Sequence, residues 1–158
     1  MIDIYTDGAA RGNPGPGGWG VVLRSGDHYR ELSGGFACTT NNRMELYAVI
    51  MGLEAVRKWP ADITIHSDST YICNAVNSGW LFSWEQKMFA KKKNPDLWQR
   101  FLKIYRRHTV KFVWIRGHTG HLENERCDKL ATEASRLLNL PKDEGYVAET
   151  EIIDLYNG

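Results

Sequence analysis

Between Ile2 and Phe36 three short stretches alternate apolar and polar residues, and no helical periodicity interrupts them. A period of two places one side of each stretch in a core and the other toward solvent, the pattern of a half-buried strand. Ile2 to Asp7 is the first, and Trp19 to Arg24 and Tyr29 to Phe36 follow, joined at Ser25-Gly26-Asp27, whose Gly and Asp suit a tight hairpin. The first two are separated by GAARGNPGPGG, a stretch that must turn. The chain therefore opens with an antiparallel meander.

Thr39, Thr40, Asn41 and Asn42 then offer capping side chains, and Leu46, Val49, Ile50, Leu53 and Val56 recur at helical spacing up to Pro60. Ile63 to His66 is a short β-branched strand ending at Ser67-Asp68-Ser69, where Ser and Asp can cap a helix from Tyr71 to Val76. Asn77-Ser78-Gly79 breaks the chain before Trp80, Trp84 and a lysine cluster, and an amphipathic helix from Leu97 to Arg107 follows Asn94-Pro95. Val110 to Ile115 reads as a fifth strand, and the loop from Arg116 to His121 enters a last helix with Leu130, Ala131, Ala134, Leu137 and Leu138 on one face. This order predicts an α/β fold in which helices cover a mixed sheet.

The chain has 158 residues, 42% of them hydrophobic and 25% charged, which fits one domain around a single core. Its apolar runs are short and interrupted by charges, and MIDIYTDGAA has no basic region followed by an apolar stretch, so a cytoplasmic protein without a membrane span is expected. Cys38, Cys73 and Cys127 are widely spaced and odd in number, which argues against a disulfide framework and suits small core residues. The net charge of +1 is unevenly spread. Between Gln86 and Gly117 lie six lysines and four arginines against one acid, Asp96, whereas five acids and no Lys or Arg follow from Asp143 onward. The first region is built to meet a polyanion and the tail is not.

Asp7 ends the first predicted strand, Glu45 lies in the first turns of the first long helix, Asp68 ends the fourth strand and Asp128 comes early in the last helix. Functional groups of mixed α/β folds gather at such places. Clustered carboxylates repel one another unless cations are present, and hard oxygen donors select Mg²⁺ or Mn²⁺ over zinc. Taken singly, each acid has a plainer role: Asp68 as a cap, Asp7 in a turn, Glu45 solvated. His118, His121 and Cys127 suit zinc by residue type, but a structural zinc site needs four ligands with paired spacings, and no CxxC accompanies them.

The segments around the four acids, YTDGAARGNPGPGGWG, TTNNRMELYAVIMGLEA, IHSDSTYI and WIRGHTGHLENERCDKLA, resemble in order and spacing the signature segments of ribonuclease H, type 1, as found in bacteria. The resemblance runs from about Asp3 to about Tyr146, so residues 1–146 are expected to form the catalytic domain and 147–158 a C-terminal tail, in which Ile152 to Gly158 has no assigned role. It implies a ribonuclease H-like sheet of five strands, the first three antiparallel, with helices on both faces. It also implies an endonuclease that hydrolyses the RNA strand of RNA–DNA hybrids and leaves 5′-phosphate and 3′-hydroxyl ends. By the same resemblance Asp7, Glu45, Asp68 and Asp128 bind two divalent ions, Mg²⁺ with Mn²⁺ as a substitute, and His118, rather than His121, assists proton movement. In-line attack on a phosphodiester needs an activated water on one side and a stabilised leaving oxygen on the other, which two metals about 4 Å apart supply. A histidine on a glycine-flanked loop, titrating near neutrality, can carry the protons.

A hybrid is told from other duplexes by shape and by its 2′-hydroxyls in the minor groove. Asn13, Thr40, Asn41 and Asn42 lie beside Asp7 and Glu45 in sequence, and amides can both donate to and accept from substrate. The family resemblance implies substrate contact for the three asparagines, a role compatible with turn forming or capping. Trp80 to Lys93 resembles the basic protrusion of bacterial members, which implies that Trp80, Trp84, Lys87, Lys91 and Lys92 hold the DNA strand. This copy looks shorter and carries Glu85 and Gln86 where basic residues are usual, while Ala10 and Thr70 stand where relatives often have cysteine and glutamine. A monomer is expected, because the helices' apolar faces are used in the core. Two rivals remain: another nuclease on the same fold, such as a junction resolvase, and a hybrid-binding module without catalysis. Asn41-Asn42 and GHTGH speak against the first, and the presence of all four acids against the second.

Overall fold

The computed structural model describes residues 1–117 and 120–147. Strands β1 (Ile2–Ala10), β2 (Gly15–Ser25) and β3 (His28–Thr39) lead into helix α1 (Asn41–Glu54), and β4 (Asp62–Ser67) follows. Helices α2 (Thr70–Asn77), α3 (Trp80–Gln86) and α4 (Pro95–Tyr105) then precede β5 (Thr109–Trp114) and α5 (Leu122–Ser135). The five strands form one mixed sheet in the order β3-β2-β1-β4-β5. Both pairings within the opening meander are antiparallel, and β1 with β4 and β4 with β5 are parallel.

Neighbouring residues of β2 show how helices cover both faces. A Cβ on Gly17 would meet the Met44 side chain of α1 at 3.0 Å, whereas one on Gly18 would lie 2.1 Å from the Ala131 carbonyl oxygen of α5. Successive strand residues point to opposite faces, so α1 and α5 pack on opposite sides of the sheet. Under α1 the core is apolar: Ile4, Val21, Leu46, Val49, Ile50, Leu53 and Ile65 are fully buried. Burial of such side chains is worth roughly 1.5–3 kcal/mol each relative to exposure, which is ample to hold a short helix on a sheet. Trp98 and Phe101 of α4 join this core, Phe101 packing edge-on against Phe112 of β5.

Local signals set the element ends, with several departures from the sequence pattern. Thr40 caps α1 by accepting from the Arg43 N–H, and Ser69 caps α2 by accepting from Ile72. Proline opens α4, where its missing N–H leaves no helical bond unmade. Helix α1 stops at Glu54, so Val56 is buried beyond its end. Strand β1 continues past Asp7 to Ala10 and β2 begins at Gly15 instead of Trp19, because a glycine-rich segment pressed under a helix can still make a strand ladder. Leu137 and Leu138 do not share the buried face of α5; the helix ends at Ser135 and both leucines are exposed.

Candidate active site

The last residue pair of the parallel β1–β4 ladder is Thr6 with Ser67. Asp7 and Asp68 are the next residue on each strand, so pairing in register brings the two acids side by side where the ladder ends. Asp7 is therefore interior to β1 on its β2 side, opposite Gly20, and at a ladder end on its β4 side. Ser67 and Ser69 shape the turn around Asp68: the Ser67 hydroxyl accepts from the Ser69 N–H at 3.1 Å, and Ser69 then caps α2.

Glu45 arrives from α1 because Gly8 has no side chain. A Cβ there would stand 2.4 Å from the Glu45 backbone nitrogen, so any larger residue would push the start of α1 off β1. Asp128 arrives from α5 by the same device on the other face, since a Cβ on Gly20 would lie 2.4 Å from the carbonyl oxygen of Cys127, its neighbour. The Cys127 thiol donates to the Tyr5 carbonyl at 3.2 Å and fixes this approach.

Asp7, Glu45 and Asp68 each present a carboxylate oxygen, all within 4.8 Å of one another. Asp128 stands outside that group but near enough for its charge to raise the pKa of Asp7. Burial pushes the Asp7 carboxyl up to about 7, with the charge of Asp68 adding to it and hydrogen bonds from Glu45 and the Gly8 N–H opposing it. Glu45 is raised well above the usual carboxylate range, again by burial first and then by Asp7 and Asp68. By exposed area Asp7 is the more covered residue, yet it is the Glu45 carboxylate whose Oε2 is fully enclosed without a hydrogen-bond partner, in keeping with burial as the first cause of its upward shift. Such an arrangement of hard oxygen donors, one of them orphaned, fits a divalent cation.

A zinc site finds no support among the described residues. Burial raises the Cys127 thiol far from the thiolate state that zinc requires, and His121 serves as the N-cap residue of α5. His118 and the remainder of the expected tail beyond Val147 lie outside the described residues. Gly117 is described, and a Cβ on it would sit 3.1 Å from Asp68 Oδ2, so the loop that leads to His118 passes against the acid cluster.

Of the residues expected to touch substrate, Asn13, Thr40 and Asn41 are brought together at the start of α1. The Asn41 side-chain oxygen accepts from the Ala10 N–H at 2.6 Å, and the Asn13 oxygen accepts from the Asn41 N–H at 3.2 Å. Asn42 is exposed beside them. Trp80 is half exposed at the head of α3, whereas Trp84 packs edge-on against Trp98 with the Lys92 ammonium 5.1 Å above its ring. Lys87, Lys91 and Lys92 are exposed on the segment after α3, which turns through left-handed backbone at Met88, Phe89 and Lys91. Glu85 is engaged elsewhere: Arg106, just after α4, donates to its carboxylate through both terminal guanidinium nitrogens, one at 2.7 Å.

Two features carry no signal in the sequence pattern. Arg43, only 2% exposed, donates to Asp143 (2.7 and 2.9 Å) and Asp96 (2.8 and 2.9 Å), and Thr39 also donates to Asp143. Isolated, an arginine near a helix start reads as solvated; here it ties α1, α4 and the 143 region together two residues before Glu45. The second is Trp114, whose indole N–H donates to the Asp68 backbone carbonyl at 3.1 Å.

Comparison with known proteins agrees with this geometry. The family described as RNase H matches residues 1–136. A "Ribonuclease H" of Syntrophus aciditrophicus (strain SB) is 53% identical over 151 residues, covering 92% of this chain and 87% of that protein. Among solved structures, LC9-RNase H1, described as a type 1 RNase H with the type 2 active-site motif, superposes with a TM-score of 0.76 at 28% identity, over 99% of this chain and 81% of that one. LC11-RNase H1 in complex with an RNA/DNA hybrid gives a TM-score of 0.65 at 32% identity, over 85% of this chain and 96% of that one.

Proposed function

This chain belongs to the ribonuclease H family, and on that premise we propose that it hydrolyses the RNA strand of RNA–DNA hybrids with two bound divalent cations, leaving 5′-phosphate and 3′-hydroxyl ends. The observation that carries the reading is the convergence of Asp7, Glu45 and Asp68 on one point, with Asp128 in electrostatic reach. These four acids would hold Mg²⁺, or Mn²⁺ in its place. When bound, the cations supply an activated water and stabilise the leaving oxygen of an in-line displacement.

The chain's own residues do the rest. Burial around Asp7 and Glu45 makes the site strongly demanding of positive charge, so cation uptake is coupled to proton release. Asn13, Thr40, Asn41 and Asn42 form a polar rim at the head of α1 suited to the minor groove of a hybrid, where sugars and base edges can be read. Trp80, Trp84, Lys87, Lys91 and Lys92 supply a basic, aromatic surface for the DNA strand, giving sequence-independent and salt-sensitive attraction. His118 takes the role of proton carrier. Residues 1–146 constitute the catalytic domain in this reading, 147–158 a tail, and the enzyme works as a cytoplasmic monomer. No helix among the described residues is long and apolar enough to cross a membrane.

Asp7→Asn tests the reading. The variant keeps the size of the side chain but not its charge, so it is expected to bind a hybrid about as tightly as the parent while cleavage falls at least about a hundredfold, as for loss of a transition-state electrostatic contact. Gel-shift and single-turnover measurements on one labelled hybrid separate the two effects. Cleavage at the parent rate would remove Asp7 from the metal site.

A further inference from the structure

We propose that Trp114 is a positioning residue for Asp68: its indole N–H sets the orientation of the Asp68 peptide and so the affinity of the acid cluster for divalent cations. This inference rests on the reading of Asp68 as a metal ligand. Strand β4 pairs with β5 in parallel as far as Ser67 and Trp114, and the Ser67 carbonyl accepts from the Ile115 N–H at 2.9 Å. The Asp68 carbonyl is the first beyond that ladder and must find a donor elsewhere. The Trp114 indole supplies it, at 3.1 Å, from the edge strand of the sheet.

The consequence is geometric. Fixing the Asp68 carbonyl fixes the peptide plane after Asp68 and with it the direction in which the carboxylate leaves the chain. Gly117, three residues on from Trp114, also lies against Asp68, since a Cβ on it would stand 3.1 Å from Asp68 Oδ2, so β5 and the loop after it meet this residue at both its backbone carbonyl and its carboxylate. A ligand held by such partners has fewer orientations to lose when a cation binds. Trp114 is half exposed, so its hydrogen bond, rather than its burial in a core, is what distinguishes it from other large side chains of the edge.

Trp59 provides a matched comparison. It is also about half exposed and its indole N–H also donates to a carbonyl, that of Val56 at 3.2 Å, but it touches none of the four acids. Mn²⁺ binding by calorimetry is measured on the parent, Trp114→Phe, Trp59→Phe and Asp68→Asn, each also melted without metal. The Trp114→Phe protein is expected to need about three- to tenfold more Mn²⁺ for half-saturation, the effect of one lost hydrogen bond, with a metal-free midpoint like that of Trp59→Phe. Asp68→Asn is expected to lose binding, and Trp59→Phe to match the parent. Equal Mn²⁺ affinity in the parent and Trp114→Phe overturns the positioning role while leaving the metal site standing; absence of Mn²⁺ binding in the parent overturns both. A measurement on the unaltered protein covers the case of a variant that does not fold: the Trp114 indole N–H resonance should shift on Mg²⁺ addition and that of Trp59 should not. A Trp114 signal indifferent to Mg²⁺ contradicts the proposal.

Discussion

Asp7 is held near neutrality by burial and by the charges of Asp68 and Asp128, and this has a thermodynamic consequence that a list of acids does not reveal. Its carboxyl keeps a proton up to about pH 7 when folded but releases it near 3.8 when unfolded. Between these values the native state binds more protons than the unfolded one, so metal-free stability falls as pH rises through this window. Glu45, shifted in the same direction, adds to the slope. In the proposed reading, bound cations would reverse the penalty by replacing protons. Thermal unfolding with and without Mg²⁺ is therefore expected to show a larger metal-induced rise in midpoint at about pH 8 than at about pH 5.5, and Asp7→Asn should flatten the metal-free pH dependence. Equal gains at both values would show that the acids are not coupled as described. The four acids drew notice in sequence because each stood at a predicted strand end or helix start, but that placing left each with a plainer role, and only the resemblance of the four surrounding segments to the family's singled them out as a set. Their protonation was not legible, since it depends on how many neighbours enclose each carboxylate.

Helix placement follows from where the sheet lacks side chains. The alternation of β1 and the spacing of Leu46, Val49, Ile50 and Leu53 made the strand and helix plain in sequence, and both are present. The segment GAARGNPGPGG was less transparent: its glycines suggested only a turn, whereas Gly15, Gly17 and Gly18 belong to β2, and Gly18 admits α5 to backbone contact. Gly20, inside the predicted strand, matters for the site in the same way, because Asp128 follows Cys127, whose carbonyl lies over it. Gly20→Ala would place a methyl group 2.4 Å from that carbonyl oxygen and 2.8 Å from the Leu130 Cβ, neither at the end of a flexible side chain. The expected result is a loss of about 1–3 kcal/mol, as for other overpacked interiors, read from urea unfolding, with cleavage reduced because Asp128 moves with its helix. A parent-like unfolding midpoint would mean that α5 packs less closely than described. Leu137 and Leu138 misled in the other direction, since apolar spacing continues past Ser135 while the helix does not.

At the scale of the molecule, charge is divided by position along the chain, and the fold leaves the basic segment exposed while it buries the first acid of the acidic one. Lysines cluster on the segment after α3, and Glu85, near the end of α3, is paired with Arg106. Asp143, the first of the acids toward the C-terminus, is buried and turned inward onto Arg43, which joins it to Asp96 and to the start of α1. No periodicity signals a contact made across 100 residues of chain, so this part of the structure was illegible in sequence, whereas the basic segment was plain from composition alone. In the proposed reading the acid cluster takes up cations, the asparagines at the head of α1 and the lysines after α3 meet the substrate, and the chain acts as a nuclease. The most direct test is cleavage of a labelled RNA–DNA hybrid, with duplex RNA, duplex DNA and single strands as controls, in Mg²⁺, in Mn²⁺ and in chelator. Metal-dependent cutting of the hybrid's RNA strand alone is the predicted result; a hybrid that is bound but survives intact in every metal would contradict it.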